Sequence, residues 1–173
     1  MDVILLSADG QPIGTQSKQT VHSTNTPLHQ AFSCHVINDA GQVLATRRAL
    51  GKMTWPGVWT NSVCGHPQPG EDLERALARH AQGELGLEVR DVRMALPDFR
   101  YRAVDASGIV ENEICPVFTA IAAGEIAANP EEVMDYCWVE PGALAQSARA
   151  TPWAFSPWLV MQANGMELYR SRG

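Results

Sequence analysis

The stretch from residue 54 to residue 87, TWPGVWTNSVCGHPQPGEDLERALARHAQGELGL, decides how this chain is read. Cys64 and His66 stand at the head of a Pro/Gly-rich turn. Beyond the turn, Leu73, Leu77 and Leu85 recur at helical spacing with Ala76 and Ala81 beside them, which predicts an amphipathic helix from Asp72 onward. Glu71 and Asp72 sit where a helix N-terminus favours negative charge, and Gly86 is placed to end the helix. Glu84 falls on the same stripe as Leu73 and Leu77. A carboxylate on an inward face is costly unless it is paired or holds a cation. The alternative is a fraying helix end that lets Glu84 reach water.

Upstream, Val3 to Leu6 reads as a short strand and Asp9-Gly10 as the turn after it. A polar segment over 14–28 carries Lys18 and His22, with His29 just beyond. A second strand covers 31–37, and a turn over 38–42 leads into Val43–Ala45. Arg47, Arg48 and Lys52 follow as a basic group that either neutralises an anion or forms ordinary solvated surface. Downstream, strands are expected over 87–93 and 98–104, with Phe99, Tyr101 and Ala103 on one face and residues 105–108 as a hairpin turn. One long strand over 109–121 would project Glu111, Glu113 and Cys115 from one face and Ile114 and Phe118 from the other. Two neighbouring carboxylates repel unless a cation lies between them or the face is solvated. A strand from Met134 to Glu140, a short helix from Pro141 and a terminal helix to about Leu168 complete the chain, with Trp153 and Trp158 as core anchors.

The 173 residues suit a single domain spanning 1–173 with a sizeable core. A net charge of −6 and a pI near 5.3 argue against nucleic acid or an anionic membrane as partner. An anionic ligand would instead need a local basic cluster. No apolar run approaches the length that spans a bilayer, and no signal peptide opens the chain. The 4 cysteines, Cys34, Cys64, Cys115 and Cys137, show no C-x-x-C pairing, which fits free thiols in a reducing cytoplasm. Cys34, Cys115 and Cys137 read as buried structural thiols. Cys64 differs because it adjoins His66 and the turn.

The imidazoles of His22, His29 and His66 with the Glu111/Glu113 pair have the donor types of a divalent-metal site, although their spacing is not itself a motif. Gly65, Glu71, Arg79, Glu84 and Gly86 resemble a degenerate Nudix box, a loop-helix-loop that holds a cation against a diphosphate. A diphosphate needs a metal and basic side chains to neutralise it, and Lys18, Arg48 and Lys52 are the candidates. The box ends Arg-Glu-U-x-Glu-Glu, whereas this chain reads Arg79-His80-Ala81-Gln82-Gly83-Glu84. Losing acidic positions at His80 and Gly83 argues for binding a diphosphate without hydrolysing it.

The resemblance tightens over Asn61-Ser-Val-Cys-Gly-His-Pro67, Tyr101, Gly108-Ile-Val-Glu-Asn-Glu-Ile-Cys-Pro116 and Trp153-Ala-Phe-Ser-Pro-Trp158. With Thr46-Arg-Arg-Ala-Leu50, Trp55-Pro-Gly-Val-Trp59 and Glu132-Val-Met-Asp-Tyr136, the chain is similar to the type I isopentenyl-diphosphate isomerases over nearly its whole length. That resemblance implies an α+β fold, a Nudix-like α/β/α sandwich with a mixed, largely antiparallel sheet. It implies interconversion of isopentenyl and dimethylallyl diphosphate, a small diphosphate substrate, in isoprenoid biosynthesis. The cysteine usage already points to the cytoplasm, and of the oligomeric states, which the sequence leaves open, a monomer is favoured. By position, it implies one divalent metal, Mn2+ or Zn2+, on His22, His29, His66, Glu111 and Glu113. It also implies Mg2+ at Glu84 bridging to the diphosphate, Cys64 and Glu113 as the proton-transferring pair, and Tyr101 beside Glu113. Trp158 becomes the aromatic wall at the reacting carbons. Two competitors remain open at this point: a Nudix pyrophosphohydrolase, and a catalytically silent diphosphate- or metal-binding module.

Overall fold

The computed structural model describes residues 1–170; the last three residues of the span expected as one domain lie outside the described residues. The strands are β1 (Asp2–Leu6), β2 (Pro12–Ser17), β3 (His29–Gln30), β4 (Phe32–Ile37), β5 (Val43–Arg48), β6 (Trp59–Thr60) and β7 (Val63–Gly65). They continue with β8 (Glu88–Leu96), β9 (Arg100–Val104), β10 (Val110–Ile114), β11 (Val117–Ala123) and β12 (Val133–Val139). The helices are α1 (Lys18–Val21), α2 (Leu73–Leu85), α3 (Pro141–Ala150) and α4 (Pro157–Gly165).

The α+β expectation holds, but the strands divide between two mixed sheets instead of one. One runs β2-β1-β3-β10-β9 and the other β12-β5-β4-β11-β8, with β6 on β5 and β7 on β4. Only β3–β10 and β4–β11 are parallel among these pairs. The single strand expected over 109–121 breaks at Cys115-Pro116, because proline offers no N–H to a ladder. There the chain leaves one sheet and enters the other. Residues 29–37 make the same crossing alongside it: Ala31 N–H donates to Ile114 O at 3.0 Å and Ser33 N–H to Pro116 O at 3.1 Å.

Strand β4 is the centre of the larger sheet and is buried along nearly its whole length. Its alternation sorts two layers. Phe32, Cys34 and Val36 pack with Ala76, Leu77, Ala81 and Leu85 of α2. Ser33 and His35 belong to the opposite face, where Gln162 of α4 meets both. On that side Val43, Ala45 and Val117 pack against Leu144, Ala145, Leu159 and Ala163 of α3 and α4. Helix layers on both sides of this sheet give the expected sandwich.

Helix α2 forms where the leucine periodicity placed it. Asp72 caps its N-terminus by accepting from Arg75 N–H at 2.8 Å. Gly86 ends it with φ 58°, donating to Gln82 O at 3.0 Å; a Cβ there would also lie 2.9 Å from Ala127, so glycine is required twice over. The polar segment over 14–28 contains part of strand β2, which pairs with β1 as a hairpin, and the single turn α1. Two local expectations fail. Trp153 is 80% exposed and anchors nothing, because the short 3-10 turn Pro152–Ala154 holds it on the surface. Cys137 is exposed because it faces outward from β12.

His35 is wholly buried, with Nδ1 2.6 Å from the Tyr169 hydroxyl and Nε2 2.9 Å from Gln162 Oε1. Burial pushes its pKa down from 6.5 to about 4, so the folded protein keeps it neutral. The unfolded chain binds the extra proton between those values, so this group makes stability fall as pH drops from 6.5 toward 4. The loss expected from His35 alone is about 3 kcal/mol at the acid end. Denaturant midpoints measured at pH 7 and pH 4.5 should therefore converge more closely in His35→Phe than in the wild type.

Candidate active site

The site lies where the two sheets meet. Strand β10 carries Glu111 and Glu113; β3, parallel to it, sets His29 opposite Glu113. His22 caps the C-terminus of α1, and His66 follows β7. One ligand atom from each of His22, His29, His66 and Glu113 lies within 4.8 Å of all the others. Glu113 Oε1 is 3.1 Å from His66 Nε2 and 3.4 Å from His29 Nε2, and those two nitrogens are 3.2 Å apart. His29 Nδ1 pairs with Pro27 O at 2.9 Å, which places a proton there and turns Nε2 toward the cluster, where its lone pair is what a cation would take.

These residues fit a divalent cation. Lone pairs and carboxylate oxygens converge, and buried His22 Nε2 and Glu111 Oε2 face each other without a well-aligned hydrogen bond. Glu111 stands at the edge of the set: its Oε2 is 3.1 Å from His22 Nε2, while Oε1 accepts from the Thr54 hydroxyl at 2.8 Å. Burial works to raise the Glu113 pKa, but the hydrogen bonds and charge of His29 and His66 outweigh it and hold the carboxyl ionised.

Cys64 lies on β7, directly across from Ser33 of β4. Its Sγ donates to Asn61 Oδ1 at 3.0 Å and lies 3.3 Å from Ser33 Oγ. Burial pushes the thiol up to about 11, so it carries its proton at neutral pH. Trp158 donates from Nε1 to the same Asn61 oxygen at 3.0 Å. Tyr101 of β9 sits opposite Glu113 in register, its ring 5.8 Å from that of Trp158. Its phenol is raised well above the usual range by burial and then by Glu113. Among the described residues its hydroxyl makes no hydrogen bond to Glu113; the two are neighbours across the ladder.

Lys18, Arg48, Lys52, Glu84, Cys64, Tyr101, Glu111, Glu113 and Trp158 line a single pocket with His22 and His66, while His29 lies buried behind it. Lys18 is depressed by burial and then by the charge of Lys52, and Lys52 itself pairs with Glu132. Arg48 lies 5.3 Å from the Trp158 ring centroid and donates to the carbonyls of Thr54 and Trp55. Those bonds help hold Trp55 at φ 43°, a conformation non-glycine residues seldom adopt, with its ring edge-on to Trp158.

Two members of the degenerate box prove architectural. Arg79 clamps Glu71 through Nε at 2.9 Å and Nη2 at 2.7 Å and also reaches His66 O at 3.1 Å, tying the turn to α2. That guanidinium holds Glu71 at a pKa of about 2. Glu84 is neither frayed nor alone: His80 Nδ1 meets its Oε1 at 2.7 Å, one helical turn apart. The His80 ring occupies the space a Cβ at Gly65 would need, 2.5 Å away, so that glycine permits β7 to approach α2. Ser33, Thr54, Asn61 and His80 all touch predicted site residues, and their sequence context gave no role to any of them. For Asn61 the signal was present, since it opens the Asn61–Pro67 motif.

Residues 27–159 match the NUDIX domain family. A protein of Agromyces mediolanus named isopentenyl-diphosphate Delta-isomerase is 63% identical over 93% of this chain and 78% of its own length. The chain belongs to the isopentenyl-diphosphate Delta-isomerases of the NUDIX family. Members of the same name from Clavibacter michiganensis and Salmonella typhi are 60% and 57% identical, over 92% and 94% of this chain and 82% and 90% of theirs. Among solved structures, DR0079 from Deinococcus radiodurans shares the fold at a TM-score of 0.74 and 20% identity, covering 98% of this chain and 100% of that one. The MutT protein of Methanosarcina mazei does so at 0.56 and 20%, over 69% and 82%. These two likenesses show the fold alone, and His80 and Gly83 stand where the Nudix-box pattern has acidic residues. Among the described residues no helix is long and apolar enough to cross a membrane.

Proposed function

We infer that this chain interconverts isopentenyl diphosphate and dimethylallyl diphosphate, a step of isoprenoid biosynthesis. The observation that carries the reading is one pocket lined by the Cys64 thiol, the Glu113 carboxylate, two aromatic rings and three basic side chains. Identity to relatives bearing the isomerase name, such as 63% in Agromyces mediolanus, supports it.

Moving the double bond requires a proton delivered to one carbon and another removed from the carbon two positions along, with positive charge on the tertiary carbon between. Cys64 and Glu113 are the pair assigned to those transfers, since one holds a proton and the other is a carboxylate. The face of Trp158, braced by Tyr101 and Trp55, favours positive charge without offering a nucleophile, and the same rings exclude the water that would trap it. Tyr101 stands beside Glu113 across the ladder, in the lining of the same pocket. Lys18, Arg48 and Lys52, in the same lining, supply the positive charge that anchors the diphosphate. His22, His29, His66, Glu111 and Glu113 would hold a divalent metal, Mn2+ or Zn2+, whose positive charge would keep Glu113 ionised. Glu84 would hold Mg2+, whose charge would neutralise the diphosphate. Every group named comes from one chain of a single domain, so a monomer suffices, and a reaction needing a free thiol suits a reducing cytoplasm.

Proton NMR of the purified protein with isopentenyl diphosphate and Mg2+ in deuterated buffer tests the reading. Dimethylallyl diphosphate carrying deuterium, with no free phosphate, is the expected result. Phosphate release without isomerisation would assign the chain to hydrolysis, and an unchanged spectrum with Mg2+ and Mn2+ present would reduce it to a binding module.

A further inference from the structure

A buried chain of hydrogen bonds runs from the C-terminal end of the described fold to Cys64. The Tyr169 hydroxyl meets His35 Nδ1 at 2.6 Å, and His35 Nε2 meets Gln162 Oε1 at 2.9 Å. Gln162 Nε2 meets Ser33 Oγ at 2.9 Å, and Ser33 Oγ meets Cys64 Sγ at 3.3 Å. Cys64 Sγ meets Asn61 Oδ1 at 3.0 Å. Tyr169, His35, Gln162, Ser33 and Asn61 are all at most 3% exposed, so water does not compete along the way.

The chain has one sense. Asn61 Nδ2 donates to the carbonyls of Cys34 and Val63, which turns its oxygen toward Cys64 and Trp158. The Cys64 S–H is therefore spent on Asn61. At the far end, the Tyr169 hydroxyl has no other hydrogen bond among the described residues, so its proton goes to His35 Nδ1. His35 then carries its own proton on Nε2 and gives it to Gln162 Oε1, leaving the Gln162 amide N–H to donate to Ser33. Ser33 accepts that bond, and its hydroxyl proton is left for sulfur. Cys115 Sγ, 3.4 Å from Ser33 Oγ, is placed to donate to the remaining lone pair. The opposite sense would strand the buried Tyr169 proton and turn the Ser33 hydroxyl away from Cys64.

We propose that Ser33 is a positioning residue for the isomerisation, its hydroxyl aimed by Gln162 to donate a hydrogen bond to Cys64 Sγ. The proposal rests on the reading of Cys64 as a proton-transferring group. In either direction of the reaction Cys64 is a thiol on one side of its step and a thiolate on the other. When its proton passes to carbon, the electron pair of the S–H bond stays on sulfur, and the donated O–H bond strengthens against that charge. His35 and Tyr169 act one step further back, by fixing which end of the Gln162 amide faces Ser33.

Two variants test this. Ser33→Ala should lower kcat about 10- to 100-fold with KM for isopentenyl diphosphate unchanged. Gln162→Glu keeps an acceptor for His35 and replaces the donor facing Ser33 by an acceptor, which draws the Ser33 proton away from sulfur. It should show the same split, a fall in kcat at constant KM. A kcat within about twofold of wild type in either folded variant overturns the proposal, as does a rise in KM that accounts for the whole loss. Should Ser33→Ala fail to fold, Gln162→Glu decides by itself, since a chain running the other way would leave its Ser33 end intact. Cys64→Ala separates the two levels: if it turns over normally the reading of Cys64 falls, whereas an inactive Cys64→Ala beside a fully active Ser33→Ala removes only the role of Ser33.

Discussion

Cys64→Ala should lose turnover by about 1,000-fold or more while binding the diphosphate substrate as the wild type does. The asymmetry follows from placement. The sulfur bonds to Asn61 and Ser33 and takes no part in the cationic lining formed by Lys18, Arg48 and Lys52. Alanine leaves that lining and the Trp158–Asn61 bond in place. Affinity measured by calorimetry with the non-turning variant should match that of wild type measured with a saturated, unreactive analogue. A near-normal rate in Cys64→Ala would remove the thiol from the chemistry altogether.

Glu113→Gln should be the more damaging change, because it acts on two functions at once. Turnover should again fall by about 1,000-fold or more, since an amide neither accepts nor returns a proton at neutral pH. Unlike the cysteine variant, it should also fail to retain its divalent metal. Glu113 Oε1 is the atom that approaches both His29 Nε2 and His66 Nε2, and a carboxamide supplies neither the charge nor an equally strong donor there. Metal content after gel filtration, measured by elemental analysis, should drop to background, with affinity reduced about 100-fold or more. Full metal occupancy in Glu113→Gln would mean that His22, His29, His66 and Glu111 hold the ion among themselves.

What the sequence made legible followed from periodicity and local chemistry. The leucine stripe of α2, its Asp72 cap and its Gly86 stop were readable because short-range physics sets them. So was the shared face of Glu111 and Glu113, which period-two alternation fixes once a strand is granted. The convergence of His22, His29 and His66 on that face was not readable from spacing, since it depends on β3 lying parallel to β10. It entered through resemblance to a family. Ser33, Gln162 and His35 gave no signal at all: a serine on a buried strand and a glutamine on a terminal helix are ordinary until pairing sets them against Cys64. The break at Cys115-Pro116 could have been anticipated from the proline, yet the neighbouring apolar residues read as a continuous strand.

That break constrains how the chain can change in length. Residues 29–37 and 113–121 cross from one sheet to the other in step, with His29 beside Glu113 before the crossing and Ser33 beside Val117 after it. Deleting or inserting a single residue in either segment would turn every side chain beyond it to the opposite face, and no local loop is available to absorb the slip. The hairpin turns over 38–42 and 105–108 face no such demand and are the places to add residues. Short insertions there should leave folding and turnover intact, while length variants at the crossing should be absent from any library selected for activity.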